Sequence, residues 1–407
     1  MNSGQNKTLT VRYKINTMTS VLIETIGSEY NGLNKWYGIV KGSDNYFYCL
    51  PYDAKQILKI DPSNDETTLV GEEYDDNRKW RHGFAHGDCI YGIPYHGNKF
   101  LKYNIKTQTS KLVGDDLGVG DDFGDDYLKW MSGAVADDGC LYCFPCEHTR
   151  ILKFNPKDDT TSFIGEEIKG YFKFSGSIKG KNGCLYGIPY HTSRRVAKFN
   201  VATQNVTFIG DEYRGEEKWM GGVEGMDGNI YGVPFDHNQW LKIDIVTETT
   251  SLVGDDLSKY GTEKYSGAVV GEDCNVYTIP FAAKKVTKFN TITQKVSVVG
   301  NRYIGYEKWS GGALHSNGYI YCAPHDNNKV LKIKTNHIRD EGNYLLESNA
   351  SLTEFNKYIN TNQFEYIYVT QKAFYNRLVS YRNNLIVETA KLALESFASS
   401  RASKDDI

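Results

Sequence analysis

The chain has 407 residues, with 50 acidic against 47 basic side chains, a formal charge of −3 and 40% hydrophobic residues. That is enough apolar material for a large core, and the balance excludes the basic excess of a nucleic-acid binder. No stretch approaches the ~18 apolar residues of a membrane span, and Met1 to Lys14 is too polar for a secretory leader. A cytoplasmic protein with neither membrane nor nucleic acid as partner is expected.

In chain order, residues 1–18 read as a polar lead, and Thr19 to Gly27 as a lone strand closed by a glycine. From there one unit repeats. A slot of Lys plus an aromatic holds Trp36, Trp80, Trp130, Phe174, Trp219, Tyr265 and Trp309, spaced 44, 50, 44, 45, 46 and 44 residues apart. A Tyr-x-x-Pro slot follows in each unit, from Tyr48/Pro51 to Tyr321/Pro324, and takes seven of the nine prolines. The fifth unit shows the strands: A from Trp219 to Glu224, B from Asn229 to Pro234, C from Trp240 to Ile245 and D from Thr250 to Gly254. Asp-Gly and Asn-Gly pairs recur between A and B, where the hairpin needs residues that tolerate positive φ. The one long gap is an acidic insertion, Gly118 to Asp126.

Four short strands at a period in the forties predict a propeller blade, and seven units predict an all-β, seven-bladed β-propeller over 19–335. The seventh unit lacks its strand D, so Thr19 to Gly27 is expected to complete it and close the ring, leaving no open sheet edge there. After Thr335 the repeat stops. The segment 336–407 has one Gly and no Pro, and from Gln371 on Phe374, Leu378, Tyr381, Leu385, Leu392 and Phe397 fall at helical spacing, which predicts an α-helical C-terminal extension.

Cys140, Cys143 and Cys146 suggest a metal, but alternate residues of a strand face opposite ways and the outer two stand about 20 Å apart, so the eight cysteines read as small core residues. Seven lysines recur on strand C: Lys59, Lys102, Lys153, Lys198, Lys242, Lys288 and Lys332. A catalytic group would not recur seven times. Each is expected to meet an acid or carbonyl of its own or the next blade, with the recurring Tyr in the same network.

The D–A and B–C loops share one rim. The D–A loops are acidic, with Glu72, Asp115, Glu166, Asp211 and Asp255 in equivalent places, and predict a negative rim for a basic protein partner. Two residues after each recurring Pro, the B–C slot carries Asp53, His96, Glu147, His191, Asp236, Ala282 and Asp326, of which His96, His191, Asp236 and Asp326 are candidate metal ligands. A full ring could not share one ion, since equivalent slots stand about 10 Å apart and bonds to zinc run about 2.0–2.2 Å. No cofactor beyond such a divalent metal is expected.

The Lys-Trp-x-Gly-Gly start of strand A and the Ile-Tyr-Gly-x-Pro of strand B resemble a tryptophan-bearing propeller repeat of protist and large DNA virus proteins. That resemblance implies the propeller fold and adds a virion component to the expected settings. The B–C phrasing also resembles the lactonase and streptogramin-lyase propellers, with no catalytic set to carry over. The expected function is a non-catalytic binding or assembly scaffold using the acidic rim and the C-terminal helix. The alternatives are a metal-dependent hydrolase or lyase on the B–C loops, and a multivalent small-ligand or sugar-binding propeller on exposed Tyr95, Tyr190 and Phe235.

Overall fold

The computed structural model describes residues 22–118 and 128–335. The lead, nearly all of the acidic insertion and the segment from 336 on lie outside the described residues, and so does the expected helix. Within them the chain forms seven four-stranded antiparallel sheets, a seven-bladed β-propeller, and the helical content is one 3-10 turn, Ser258–Tyr260. No helix among the described residues is long and apolar enough to cross a membrane.

Blade 5 runs Trp219–Glu224, Ile230–Pro234, Trp240–Asp244 and Thr249–Val253, within one residue of the expected strands at every end. Ring closure follows the expected plan. Strand Ile23–Ile26 pairs with Val330–Lys334 in the sheet of Trp309–Leu314 and Tyr319–Pro324, with Ile23 opposite Ile333 and Ile26 opposite Val330. Blade 3 is irregular: its strand A shrinks to Ala134–Val135, and Trp130 joins it through an isolated bridge to Pro145.

The recurring aromatics hold the blades for a visible reason. Strand A Trp side chains reach over strand B, and their indole N–H donates to the carbonyl ahead of strand C: Trp36 to Gln56 at 2.8 Å, Trp80 to Lys99 at 2.9 Å, Trp219 to Gln239 at 2.9 Å and Trp309 to Lys329 at 2.8 Å. A buried indole keeps its donor satisfied this way while its rings fill the space between blades. The strand B tyrosines reach back four residues to the A–B turn, as Tyr48 does to Asp44 at 2.8 Å, Tyr142 to Asp138 at 2.8 Å and Tyr231 to Asp227 at 2.7 Å.

The strand C lysines stand beside this network. Lys102 reaches Asp159 of the next blade at 2.7 Å, Lys198 reaches Glu248, and Lys332 reaches Asp65 across the ring closure at 2.6 Å. Lys153 and Lys242 turn to Asp138 and Asp227 of their own blades at 3.4 and 3.7 Å, and Lys59 lies 3.9 Å from the centre of the Tyr46 ring. Lys288 occupies the same register, opposite Tyr277. The three closely spaced cysteines are parted: Cys140, Cys143 and Cys146 pack into three different apolar clusters, and burial raises all three thiols above their ordinary pKa.

Candidate functional site

On the rim shared by the D–A and B–C loops, three successive positions of each unit build three layers of different character. The layer that holds the rim together is a ring of lysines just before the aromatic slot: Lys35, Lys79, Lys129, Lys173, Lys218, Lys264 and Lys308, none more than 5% exposed. Their ammonium groups donate chiefly to backbone carbonyls of the preceding blade and of their own loop. Lys218 Nζ bonds Tyr190 O, His191 O and Gly215 O, each at 2.9 Å. Lys308 bonds Phe281 O at 2.7 Å and Gly305 O at 2.8 Å, and Lys35 closes the circle onto His325 O at 2.8 Å. Burial lowers all seven from the usual lysine value, six of them to about 8.

Inside this ring the channel is stopped by a circle of side chains, one per blade, from the residue after the recurring Pro. Tyr95, Tyr52, His325, Phe281, Phe235 and Tyr190 follow one another with ring centres 5.9, 5.7, 5.6, 5.8 and 6.1 Å apart. Cys146, buried in the same cluster, is the seventh member. Tyr95, Tyr190 and Phe235, expected to be exposed, are therefore a plug: each is at most 5% exposed. A loop position places an aromatic on the rim, but here the seven loops lean inward and bury their rings against each other.

Above the plug, the residue before each ring lysine lines the mouth: Asn34, Arg78, Leu128, Phe172, Glu217, Glu263 and Glu307. Six of the seven, all but Leu128, have φ between +45° and +53°, a left-handed turn that non-glycine residues seldom adopt. Charge in this layer is sorted. Blades 5, 6 and 7 give three adjacent half-buried glutamates, and the rest give an amide, a guanidinium and two apolar groups. Burial raises the pKa of Glu263, and the charges of Glu307, Glu217 and Asp236 raise it further.

The B–C slot acids brace this mouth. Asp53 Oδ1 accepts from Arg78 N–H at 2.7 Å, Glu147 Oε2 from Leu128 N–H at 2.6 Å, Asp236 Oδ1 from Glu263 N–H at 2.6 Å and Asp326 Oδ1 from Asn34 N–H at 2.7 Å. Asp53, Asp236 and Asp326 each fix a strained mouth residue of the next blade, and Glu147 holds Leu128 of its own blade. Of the four candidate ligands, Asp236 and Asp326 serve in this way, and His191 Nε2 lies 3.5 Å from Glu216 of the neighbouring loop. His96 starts the same slot in blade 2, its amide bonded to Arg78 O. The four are not gathered. Among the described residues the group whose ligand atoms lie within 4.8 Å of one another is Glu307, His325 and Asp326. His325 Nδ1 stands 3.2 Å from Asp326 and 3.8 Å from Glu307. Burial would raise the Asp326 carboxyl, but hydrogen bonds from His325 and the Asn34 amide, with the Lys35 charge, hold it below its ordinary value.

The expected acidic residues lie elsewhere on the rim. Glu72, Asp115, Glu166, Asp211 and Asp255 are all exposed, on the outer side, where the chain leaves strand D. There they meet the next blade: Asp115 accepts from Thr161 Oγ1 at 2.6 Å, and Asp255 from Val296 N–H at 3.0 Å. Bases following the B–C slot balance nearby acids, as in Lys55 with Asp75 at 2.5 Å and Lys329 with Glu29 at 3.5 Å.

No family model and no curated protein matches the chain. Solved structures do. It is similar to a streptogramin B lyase, with TM-score 0.62 and 15% identity over 78% of this chain and 98% of that one. It is similar to virginiamycin B lyase from Staphylococcus aureus, with TM-score 0.63 and 12% identity over 78% of this chain and all of that one. It also matches the extracellular domain of a hybrid two-component system from B. thetaiotaomicron, at 10% identity, TM-score 0.58 and 80% coverage, while spanning only 44% of that chain. At such identities the likeness is one of fold.

Proposed function

We propose that the propeller is a binding module that receives a cationic segment of a partner protein at the acidic arc of its mouth, Glu217, Glu263 and Glu307. The sorting of charge in the mouth layer carries this reading. A ring that only closed the fold would be served by one residue type, as the lysine layer is, whereas this one places three like charges side by side at an energetic cost. A cationic partner would relieve that cost, and the rigid plug beneath would give it a floor. The test is titration of the full chain with a hexa-arginine peptide at low and physiological salt. Saturable, salt-sensitive binding lost in the triple variant E217Q/E263Q/E307Q supports the reading, and binding indifferent to those three changes removes it.

The group Glu307, His325 and Asp326 favours a second reading, a metal-assisted hydrolase or lyase. Its three ligand types suit a borderline divalent ion, and His325 sits in the plug facing the mouth. Elemental analysis of the purified chain decides it: one ion per chain, lost in H325A, would favour this reading over the first.

A further inference from the structure

One place before the mouth residue in sequence, a second sorting stands on the rim. The residue there is Leu33, Asn77, Tyr171, Glu216, Thr262 and Tyr306 in the six blades where it falls among the described residues. Large apolar or aromatic side chains occupy it in blades 4, 7 and 1, and polar ones in blades 2, 5 and 6. Among the described residues six large side chains of that kind are more than half exposed, and four of them stand on this rim: Ile304 at 82%, Tyr306 at 77%, Leu33 at 69% and Tyr171 at 52%. The other two, Val246 and Ile292, sit on C–D turns of the opposite rim. A lone exposed apolar side chain is ordinary, whereas several held on neighbouring loops beside a charged arc mark a contact surface.

Contacts of the fold tie these residues to both ends of the arc Glu217, Glu263 and Glu307. At the blade 7 end, Asp326 Oδ1 accepts from the Asn34 N–H at 2.7 Å while the Asp326 N–H donates to Glu307 O at 2.9 Å, which joins the loop of Leu33 to the loop of Ile304 and Tyr306. At the blade 5 end, the Tyr171 ring lies 5.4 Å from the His191 ring and 6.1 Å from Phe172, and His191 Nε2 stands 3.5 Å from Glu216, the neighbour of Glu217. From blade 4 to blade 1 the rim therefore runs apolar, acidic over three blades, then apolar again. The backbone that carries the apolar ends is fixed from below by the lysine ring. Lys173 Nζ bonds Gly170 O at 2.6 Å, Lys308 Nζ bonds Gly305 O at 2.8 Å and Lys35 Nζ bonds Gly32 O at 2.6 Å, each the carbonyl just ahead of Tyr171, Tyr306 or Leu33. Side chains exposed on a fixed backbone are presented to a partner with little left to order.

We propose that the segment received at the mouth is amphipathic: its basic stretch is bracketed by large apolar side chains, one seated against Tyr171 and Phe172 and the other against Leu33, Ile304 and Tyr306. This names the chemistry of the partner and rests on the cationic reading of the mouth. Attraction between exposed charges is screened by salt, whereas apolar burial is not, so the two ends would hold the segment where charge alone weakens. The test is isothermal titration of the full chain with hexa-arginine and with hexa-arginine carrying one tryptophan at each end, at low and physiological salt. Wild type is set beside Y171S, L33S/I304S/Y306S and the variant combining all four changes. Every side chain changed is more than half exposed, so the fold is expected to stand, and urea unfolding checks it. The tryptophan peptide should bind wild type at least about tenfold more tightly than hexa-arginine, with the gap kept at physiological salt. Each apolar variant should narrow that gap and the combined one abolish it, while hexa-arginine affinity stays unchanged in all three. Equal affinity of wild type for the two peptides would overturn this inference and leave the cationic reading standing. A gap undiminished in the combined variant would overturn it as well, and binding of neither peptide would remove the cationic reading together with it.

Discussion

Two rings of the same rim stand one residue apart in sequence and follow opposite rules. Lys35, Lys79, Lys129, Lys173, Lys218, Lys264 and Lys308 are the same residue in the same buried setting, and their ammonium groups donate chiefly to backbone carbonyls. Asn34, Arg78, Leu128, Phe172, Glu217, Glu263 and Glu307 share a backbone geometry with one exception, and little else. A sevenfold fold needs the first ring repeated because every blade junction is alike. It makes no such demand on the second, whose side chains face the mouth, so what stands there is free to serve something other than the fold. Uniformity marks architecture here, and sorted variety marks the surface offered to a partner.

The comparison breaks most visibly at a ring lysine. Lys218→Met removes three ammonium hydrogen bonds to backbone carbonyls at a blade junction and is expected to cost about 3 kcal/mol or more in urea unfolding. Lys55→Met, which removes the exposed pair with Asp75, should stay within about 0.5 kcal/mol. Equal effects from the two would mean that the ring is no keystone.

At the mouth, the triple variant E217Q/E263Q/E307Q should keep or slightly raise stability while losing about tenfold or more in affinity for a cationic peptide at low salt. A fall in stability instead would place the three glutamates in the fold's own machinery.

The pH profile sharpens the contrast through its sign. Burial holds six of the seven ring lysines down to about 8 in the fold, against about 10.4 when unfolded, so between those values the unfolded chain binds more protons and stability rises with pH. The rise should end near pH 10, where the buried tyrosines, with pKa raised on folding, begin to ionise in the unfolded state and turn the slope downward. A profile that falls from pH 8 upward would show that the carbonyl hydrogen bonds favour the ammonium more than burial penalises it. A smaller loss than that of Lys218→Met is expected from Tyr48→Phe, which removes one hydroxyl tie to Asp44 and should cost about 1 kcal/mol in the same unfolding assay.

What the sequence made legible was whatever repeats with a distinctive residue. Trp36, Trp80, Trp219 and Trp309 reported the blades because an indole that must donate over strand B leaves few substitutes. Strand Ile23–Ile26 was legible through a count, one strand D missing at the end and one spare at the start. The ring lysines were in view beside every aromatic slot, yet a lysine there reads equally as a solvated strand start, and only the loops folding over it reveal the burial. The mouth was harder: it has no residue type in common, so nothing in the repeat singles it out. Arg81 occurs once, at a position where other blades hold Tyr, Ser or Met, and its buried guanidinium contacts residues up to 139 positions away. The metal candidates were sought at one slot, whereas the group that converges takes Glu307 from the mouth, His325 from the plug and only Asp326 from that slot.

The measurement that bears most directly on the account is hexa-arginine binding at low salt by the mouth variant E217Q/E263Q/E307Q, set beside an outer-edge variant, E72Q/D115N/D211N. Both remove three acids from the same rim, so net charge changes equally. Loss confined to the mouth variant is the predicted result, and loss confined to the outer-edge variant would contradict it.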